Sequence, residues 1–274
     1  MIIVKVPGIN GLGKTNGCEK AGDAVLKAFE KEIYSNEQGK PIDARLFDFK
    51  EISLDNSNID TANSLIYKNS LEVFGRGQRS VFLGGDHSVS YSIIRAFFNH
   101  VRSSESMREP CLIVFDAHPD CMPLSSDKRG RSPTHEEWLR ALIEEGFPAE
   151  NLLLVGVRNS YSEETIFLKK HNIRTISINS LLEDLRDVCD AIMEFSNRKE
   201  LYVSIDIDVI DPAFAPATGY LEPGGLTSRE FLYLIQRINK IKNLRALDIV
   251  EINPDKEKNN LTVKLGAKIL SELI

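Results

Sequence analysis

Short apolar runs rich in β-branched residues recur along this 274-residue chain and alternate with stretches of helical spacing. The runs are Ile2–Val6, Ala44–Phe49, Ser80–Leu83, Cys111–Phe115, Leu152–Val157, Arg174–Ile178, Leu201–Ile207 and Leu244–Val250. Most are apolar at both alternating positions, the pattern of strands covered on both faces. Between them, Ala21–Ile33, Ala62–Phe74, Val89–Val101, Glu136–Glu145, Leu181–Phe195 and Ser228–Ile241 are amphipathic. Thr134 and Thr227-Ser228, each followed by Glu, read as helix starts. Such alternation dictates a parallel sheet, because a crossover helix is what returns the chain to pair in the same direction. The expectation is one three-layer α/β/α domain over residues 1–274, around a central, mostly parallel sheet of about eight strands. No internal repeat, low-complexity segment or linker interrupts the pattern.

Charge narrows the function. Lys and Arg number 34 against 40 Asp and Glu, a formal net charge of −6. A nucleic-acid binder tracks phosphates with a basic stripe, so nucleic acid is not an expected partner. A small cation is attracted easily by such a chain. The four cysteines (Cys18, Cys111, Cys121, Cys189) form no C-x-x-C pair, which argues against a disulfide framework or a zinc ribbon. No run approaches the roughly 18 apolar residues of a membrane span. The N-terminal residues lack the basic and apolar regions of a signal peptide, so the expected setting is cytoplasmic and reducing.

In an open α/β sheet, ligands sit beyond the carboxyl ends of the strands. There the sequence places Gly84-Gly85-Asp86-His87-Ser88 after the third run and Asp116-Ala117-His118-Pro119-Asp120 after the fourth. The Leu201–Ile207 run contains Asp206 and leads into Asp208, and the last run leads into Glu251. Alternation on an extended segment would put Asp116, His118 and Asp120 on one side, and Asp206 with Asp208 likewise. Any single aspartate at a strand end could be a cap or turn residue. Four carboxylates converging with His87 and His118 would repel one another unless cations neutralise them. Two divalent ions would cancel four charges, and this oxygen-rich set with two imidazoles suits manganese better than zinc. A metal pair can deprotonate a bridging water at neutral pH.

These segments resemble the three signature regions of the ureohydrolase (arginase/agmatinase) family. The third spans Ser204–Gly225 and continues Leu226-Thr227, and the likeness extends to Ala246–Pro254. The resemblance implies an arginase-like fold and a binuclear centre of two Mn2+ per subunit, held by His87, Asp116, His118, Asp120, Asp206 and Asp208. It implies that Asp116 and Asp120 are among the residues at the bridging position, that Glu251 holds the substrate guanidinium, and that His135 shuttles protons. The implied reaction is attack of metal-bridging hydroxide on a guanidino compound, giving urea and an amine. The implied assembly is a homo-oligomer, trimeric or hexameric.

Substrate choice depends on the Asp120–Pro133 loop and the segment after Leu152–Val157. Arginases typically carry Asn where this chain has Met122, and Asp residues where it has Asn159, Ser160 and Tyr161. Both departures, with Glu222-Pro223-Gly224-Gly225, favour agmatine over arginine. Lys128, Arg129 or Arg131, if turned inward, would instead suit a guanidino acid or formiminoglutamate. One decoy belongs to another class. Gly8-Ile9-Asn10-Gly11-Leu12-Gly13-Lys14-Thr15 fits the phosphate-binding G-x-x-x-x-G-K-T pattern, and Leu112–Asp116 resembles its partner strand. Against it, the poor helix formers Asn16, Gly17 and Gly22 follow, and the histidines and later carboxylates would have no role. His100 and His171 read as surface residues, and Trp138 as core packing with Leu142.

Overall fold

The computed structural model describes residues 1–11, 13–104, 108–124 and 132–274. Its strands are β1 (Ile2–Val6), β2 (Asp48–Glu51), β3 (Ser80–Gly84), β4 (Pro110–Phe115), β5 (Leu152–Val155), β6 (Arg174–Ile176), β7 (Glu200–Asp206) and β8 (Leu244–Val250). They form one sheet in the order β2-β1-β3-β8-β7-β4-β5-β6, and every adjacent pair is parallel. The helices are α1 (Ala21–Glu32), α2 (Ile59–Gly75), α3 (Ser88–Ser103), α4 (Trp138–Glu144), α5 (Ser162–Lys170), α6 (Ile178–Glu183), α7 (Leu185–Phe195), α8 (Ser228–Ile238) and α9 (Leu261–Glu272).

The double-sided apolar pattern of the strands has a direct structural counterpart. Ile3, Ile113, Val203 and Leu247 pack in one core with side chains of α1, α6, α7, α8 and α9. Their strand neighbours Ile2, Val4, Leu112, Val114 and Tyr202 pack in a second core with α2, α3, α4 and α5. The sheet is therefore the middle of three layers. No helix among the described residues is long and apolar enough to cross a membrane.

The strand order positions the site. The late strands β7 and β8 insert between β3 and β4, so the carboxyl ends of β3, β8, β7 and β4 stand side by side. These four strand ends carry the groups singled out in the sequence.

Local departures have local causes. Ala44–Leu46 is a 3-10 turn because the Asp43 carboxylate accepts the Arg45 N–H, and the edge strand β2 starts only at Asp48. Leu181–Phe195 is two helices, broken where Asp184 becomes extended and accepts the N–H groups of Arg186 and Asp187. Thr227 caps α8 as expected, exchanging hydrogen bonds with Glu230. Thr134 does not start a helix: its N–H and hydroxyl go to Glu137 in a turn, and α4 begins at Trp138. The periodic stretches named above did not include α5 and α9.

Asp184→Ala removes the acceptor that starts α7. It should destabilise the protein by about 1 kcal/mol in denaturant unfolding, with the slope of the transition unchanged.

Candidate metal centre

At the end of β3 the chain turns sharply through Gly84-Gly85-Asp86, and His87 stands at the N-terminal boundary of α3. A β-carbon on Gly85 would lie 1.9 Å from the Gly8 carbonyl oxygen, so only glycine allows this close passage. β4 ends at Phe115, and the following residues are not extended. The Asp116 carboxylate accepts the His118 N–H (2.6 Å), and Asp208 accepts the Ala117 N–H (3.0 Å). At the end of β7, Asp206 accepts the Asp208 N–H (2.8 Å). The acids therefore converge through carboxylate-to-backbone turns rather than through strand alternation, which corrects the sequence expectation.

All six candidate ligands meet. His87 Nδ1 lies 3.0 Å from Asp116, 2.9 Å from Asp120 and 3.2 Å from Asp206. His118 Nδ1 lies 3.0 Å from Asp208 and 3.6 Å from the other oxygen of Asp116. Two donor groups result, His87–Asp116–Asp206 and Asp116–His118–Asp208, each with its ligand atoms within 4.8 Å of one another, and they share Asp116. Asp120 joins the first group through His87.

Hydrogen bonding behind the imidazoles tests whether these groups suit a cation. Ser204 gives its single proton to Asp248 (2.7 Å), so toward His87 it acts as an acceptor for Nε2–H (3.0 Å). Nε2 of His118 faces the Glu222 carboxylate at 3.3 Å, which can only accept. Each ring is thereby steered to present Nδ1 to the carboxylates, as a metal-binding histidine does. His87 Nδ1 and Asp116 Oδ2 are buried and make no well-formed hydrogen bond. Crowded oxygens and nitrogens left unsatisfied in this way fit a cation between them.

The electrostatics agree. Burial, followed by the charge of Asp116, pushes Asp120 up to about 7 and raises Asp208. Burial and the charges of Asp208 and Asp116 raise Asp206 well above the carboxylate range. Burial opposes a charged His87, yet the carboxylates of Asp116, Asp120 and Asp206 packed against it raise it well above the imidazole range. Protons are thus drawn to the place where a cation would sit.

Glu251 follows β8 in a left-handed conformation (φ 64°), and Asp120 has φ 50°. Both are unusual for residues with side chains and mark backbone held against its preference. Glu251 is 3% exposed, accepts the His87 N–H (2.9 Å) and lies 3.8 Å from the Cys18 thiol. Burial and the nearby Asp86 raise it well above the carboxylate range. His135 is buried, with Nδ1 unpartnered among the described residues and Nε2 3.2 Å from the Tyr220 hydroxyl. Burial and the charges of His87 and His118 push it down to about 4, so it is a neutral imidazole.

A cleft opens onto the cluster, lined by His118, Asp120, Met122, His135, Glu136, Asn159, Ser160, Tyr161, Glu164, Tyr220 and Glu222. No lysine or arginine is among these described lining residues. Lys128, Arg129 and Arg131 lie outside the described residues.

Sequence reasoning missed the supports. Trp138 is buried core, as expected, but its indole N–H also donates to Asp120 (2.8 Å). Asp248 accepts from Ser90, Tyr202 and Ser204 beneath His87; a carboxylate among the apolar residues Ala246–Val250 was the available signal. Tyr220 carried none. The Gly8–Thr15 segment is not a phosphate loop. The Asn10 N–H (2.7 Å) and Thr15 hydroxyl (3.0 Å) bind the Asp86 carboxylate, and turns follow where a phosphate loop needs a long helix. His100 and His171 are half-buried against Phe74 and Phe167, away from the cluster.

Comparison with known proteins agrees with this geometry. The sequence matches the arginase family over residues 1–274, and the chain belongs to that family. Agmatinase from Bacillus subtilis (strain 168) is 30% identical over 233 residues, covering 85% of this chain and 75% of that protein. A mitochondrial arginase from Medicago truncatula is 32% identical over 196 residues, 71% of this chain but only 54% of the arginase. Formimidoylglutamase from Bacillus subtilis subsp. subtilis str. 168 shares the fold with a TM-score of 0.88 at 22% identity, covering 99% of this chain and 85% of that one. Within this family the chain is a hydrolase of linear amidine C–N bonds.

Metal uptake should be coupled to proton release, because the raised carboxylates must ionise to bind. Apparent Mn2+ affinity of metal-stripped protein should climb as pH rises through about 7, where Asp120 loses its proton. Calorimetry in buffers of different ionisation enthalpy measures the protons released; pH-independent affinity with no release would contradict this.

Proposed function

We propose that this protein hydrolyses a guanidino-amine, with agmatine as the favoured substrate, to urea and an amine. Two divalent cations, manganese by the chemistry of the donors, would be held by His87, Asp116, Asp120 and Asp206 on one side and by Asp116, His118 and Asp208 on the other. When bound, they supply the Lewis acidity that makes water a nucleophile at neutral pH. The observation that carries the reading is the pair of donor groups sharing Asp116 at an acid-lined cavity.

Each remaining residue has work that its surroundings support. Glu251 is a buried carboxylate that no lysine or arginine pairs with among the described residues. An arriving guanidinium would supply the pairing cation and fix the planar group through charge-assisted hydrogen bonds. The His87 N–H already holds one Glu251 oxygen, which sets the direction of the other. His135 is neutral and has Nδ1 free, so it can take a proton and pass it to the leaving amine. Arginine and guanidino acids carry a carboxylate, and no described cationic side chain lines the cavity to receive it.

Urea release from manganese-loaded protein should be fastest with agmatine among agmatine, arginine, guanidinobutyrate and guanidinopropionate; formiminoglutamate is followed by formamide. Faster turnover of arginine or a guanidino acid would replace the substrate assignment, and no turnover of any would end the reading. Asp206→Asn should lose metal and activity together. Glu251→Gln should keep both metals while kcat/KM falls about 100-fold, the order of a lost charge-assisted pair. His135→Asn should lower kcat by about 100-fold with metal content unchanged.

A further inference from the structure

We infer that Glu222 is the specificity residue of this cavity, the carboxylate that receives the distal ammonium of an alkylguanidine substrate. The inference rests on the guanidino-amine reading and names the group that would enforce it. Four acids line the cavity, and two of them, Asp120 and Glu164, are already engaged. Asp120 belongs to the donor cluster beside His87. Glu164 is 3% exposed, and its two oxygens accept the N–H groups of Cys121 and Tyr161, both at 3.0 Å. Glu136 faces the Tyr220 hydroxyl (3.4 Å) and His135 (3.8 Å), on the proton-transfer side. Glu222 differs. One of its oxygens takes both the Asn159 amide (2.8 Å) and His118 Nε2 (3.3 Å), and the other has no hydrogen bond from any described residue.

The surroundings hold that carboxylate in place. Arg158 donates to the carbonyls of Glu222, Pro223 and Asp208, so its guanidinium clamps the loop rather than neutralising the cavity. Asp211 accepts the N–H groups of Gly224 and Gly225 (2.7 and 3.2 Å) just beyond. A preordered acceptor costs little to use on binding. Glu222 is separated from the donor cluster by the width of the His118 ring, a separation that a short polymethylene chain can cross. Tyr220 and Tyr161 add aromatic wall, which tolerates both methylenes and an ammonium. At the chemical end of the same cavity, His135 offers a buried nitrogen without a partner.

Contact with His118 gives Glu222 a second possible role, purely in orienting a ligand, and the test separates the two. Glu222→Gln keeps an acceptor for His118 and removes the charge. Agmatine is compared with butylguanidine, which has the same chain and no ammonium, and metal content is measured throughout. Binding of 1,4-diaminobutane to metal-loaded protein is measured by calorimetry, independently of turnover. The expected result is an agmatine KM raised about tenfold with kcat nearly unchanged. Diamine affinity should fall by a similar factor, and the loss in kcat/KM should be about tenfold larger for agmatine than for butylguanidine. Equal losses on both substrates with metal released would reduce Glu222 to orienting His118 and overturn the inference. So would diamine binding that ignores the substitution. If the parent does not turn over agmatine but binds the diamine through Glu222, the activity reading falls and the recognition site stands.

Discussion

Asp116 is completely buried, and its two oxygens face different imidazoles. Around it stand Asp120, Asp206 and Asp208, three more buried carboxylates. Removing one ionised carboxylate from water costs several kcal/mol even after relaxation, and four together add mutual repulsion. The fold opposes that cost with backbone N–H donors, with the Trp138 indole and with two imidazoles, and the raised acids show that the compensation is incomplete. A divalent cation in each donor group would complete it. In this sense the family's metal chemistry and the electrostatic deficit of the protein are one property.

Backbone geometry is arranged around the same demand. A strand that continued past Phe115 would carry Asp116 and Asp120 about 13 Å apart along its axis. The chain instead turns on the Asp116 carboxylate and passes through a left-handed residue at Asp120. Glu251 reaches its place through a second left-handed residue. Further back, Asp248 accepts from Ser90, Tyr202 and Ser204, drawing β3–α3, β7 and β8 onto one buried carboxylate. Ser204 then fixes the His87 ring. Positioning thus passes through two layers of polar contacts, each satisfied by the next, so the rings need little reorganisation to bind a cation.

Strand and helix periodicity made the layers legible, because both cores impose a repeat on side chains spaced closely in sequence. The residues to bring together were legible too: Asp116, His118, Asp120, Asp206 and Asp208 occur in short patterns at strand ends. How they come together was not. Alternation predicted an extended path, whereas Asp116, Asp206 and Asp208 each capture a backbone N–H two residues on or on a neighbouring loop and Asp120 takes the Trp138 indole, choices that spacing does not encode. Sheet order was equally hidden. Nothing local to Leu201–Ile207 or Leu244–Val250 states that these late strands fill the gap between β3 and β4. Asp184 and Thr134 show the same limit on a smaller scale, since a polar residue within a helical pattern can cap, break or turn, and its neighbours in space decide.

The phosphate-loop decoy shows how a true local signal takes a different meaning in context. Glycine-rich backbone after a strand does expose N–H groups suited to an anion. Here the anion is internal: Asp86 receives the Asn10 N–H and the Thr15 hydroxyl with one oxygen, and the Ser88 N–H with the other. That carboxylate sits one residue before His87, so the loop that would cradle phosphate instead braces the start of the segment that carries His87. Thr15 also lies against Gly219, next to the Glu251 carboxylate, and Lys14 stacks over the Tyr220 ring at 4.4 Å. The first loop of the chain therefore becomes part of the wall behind Glu251 and Tyr220. A nucleotide phosphate would have to displace Asp86 from these donors and would unseat His87 in doing so.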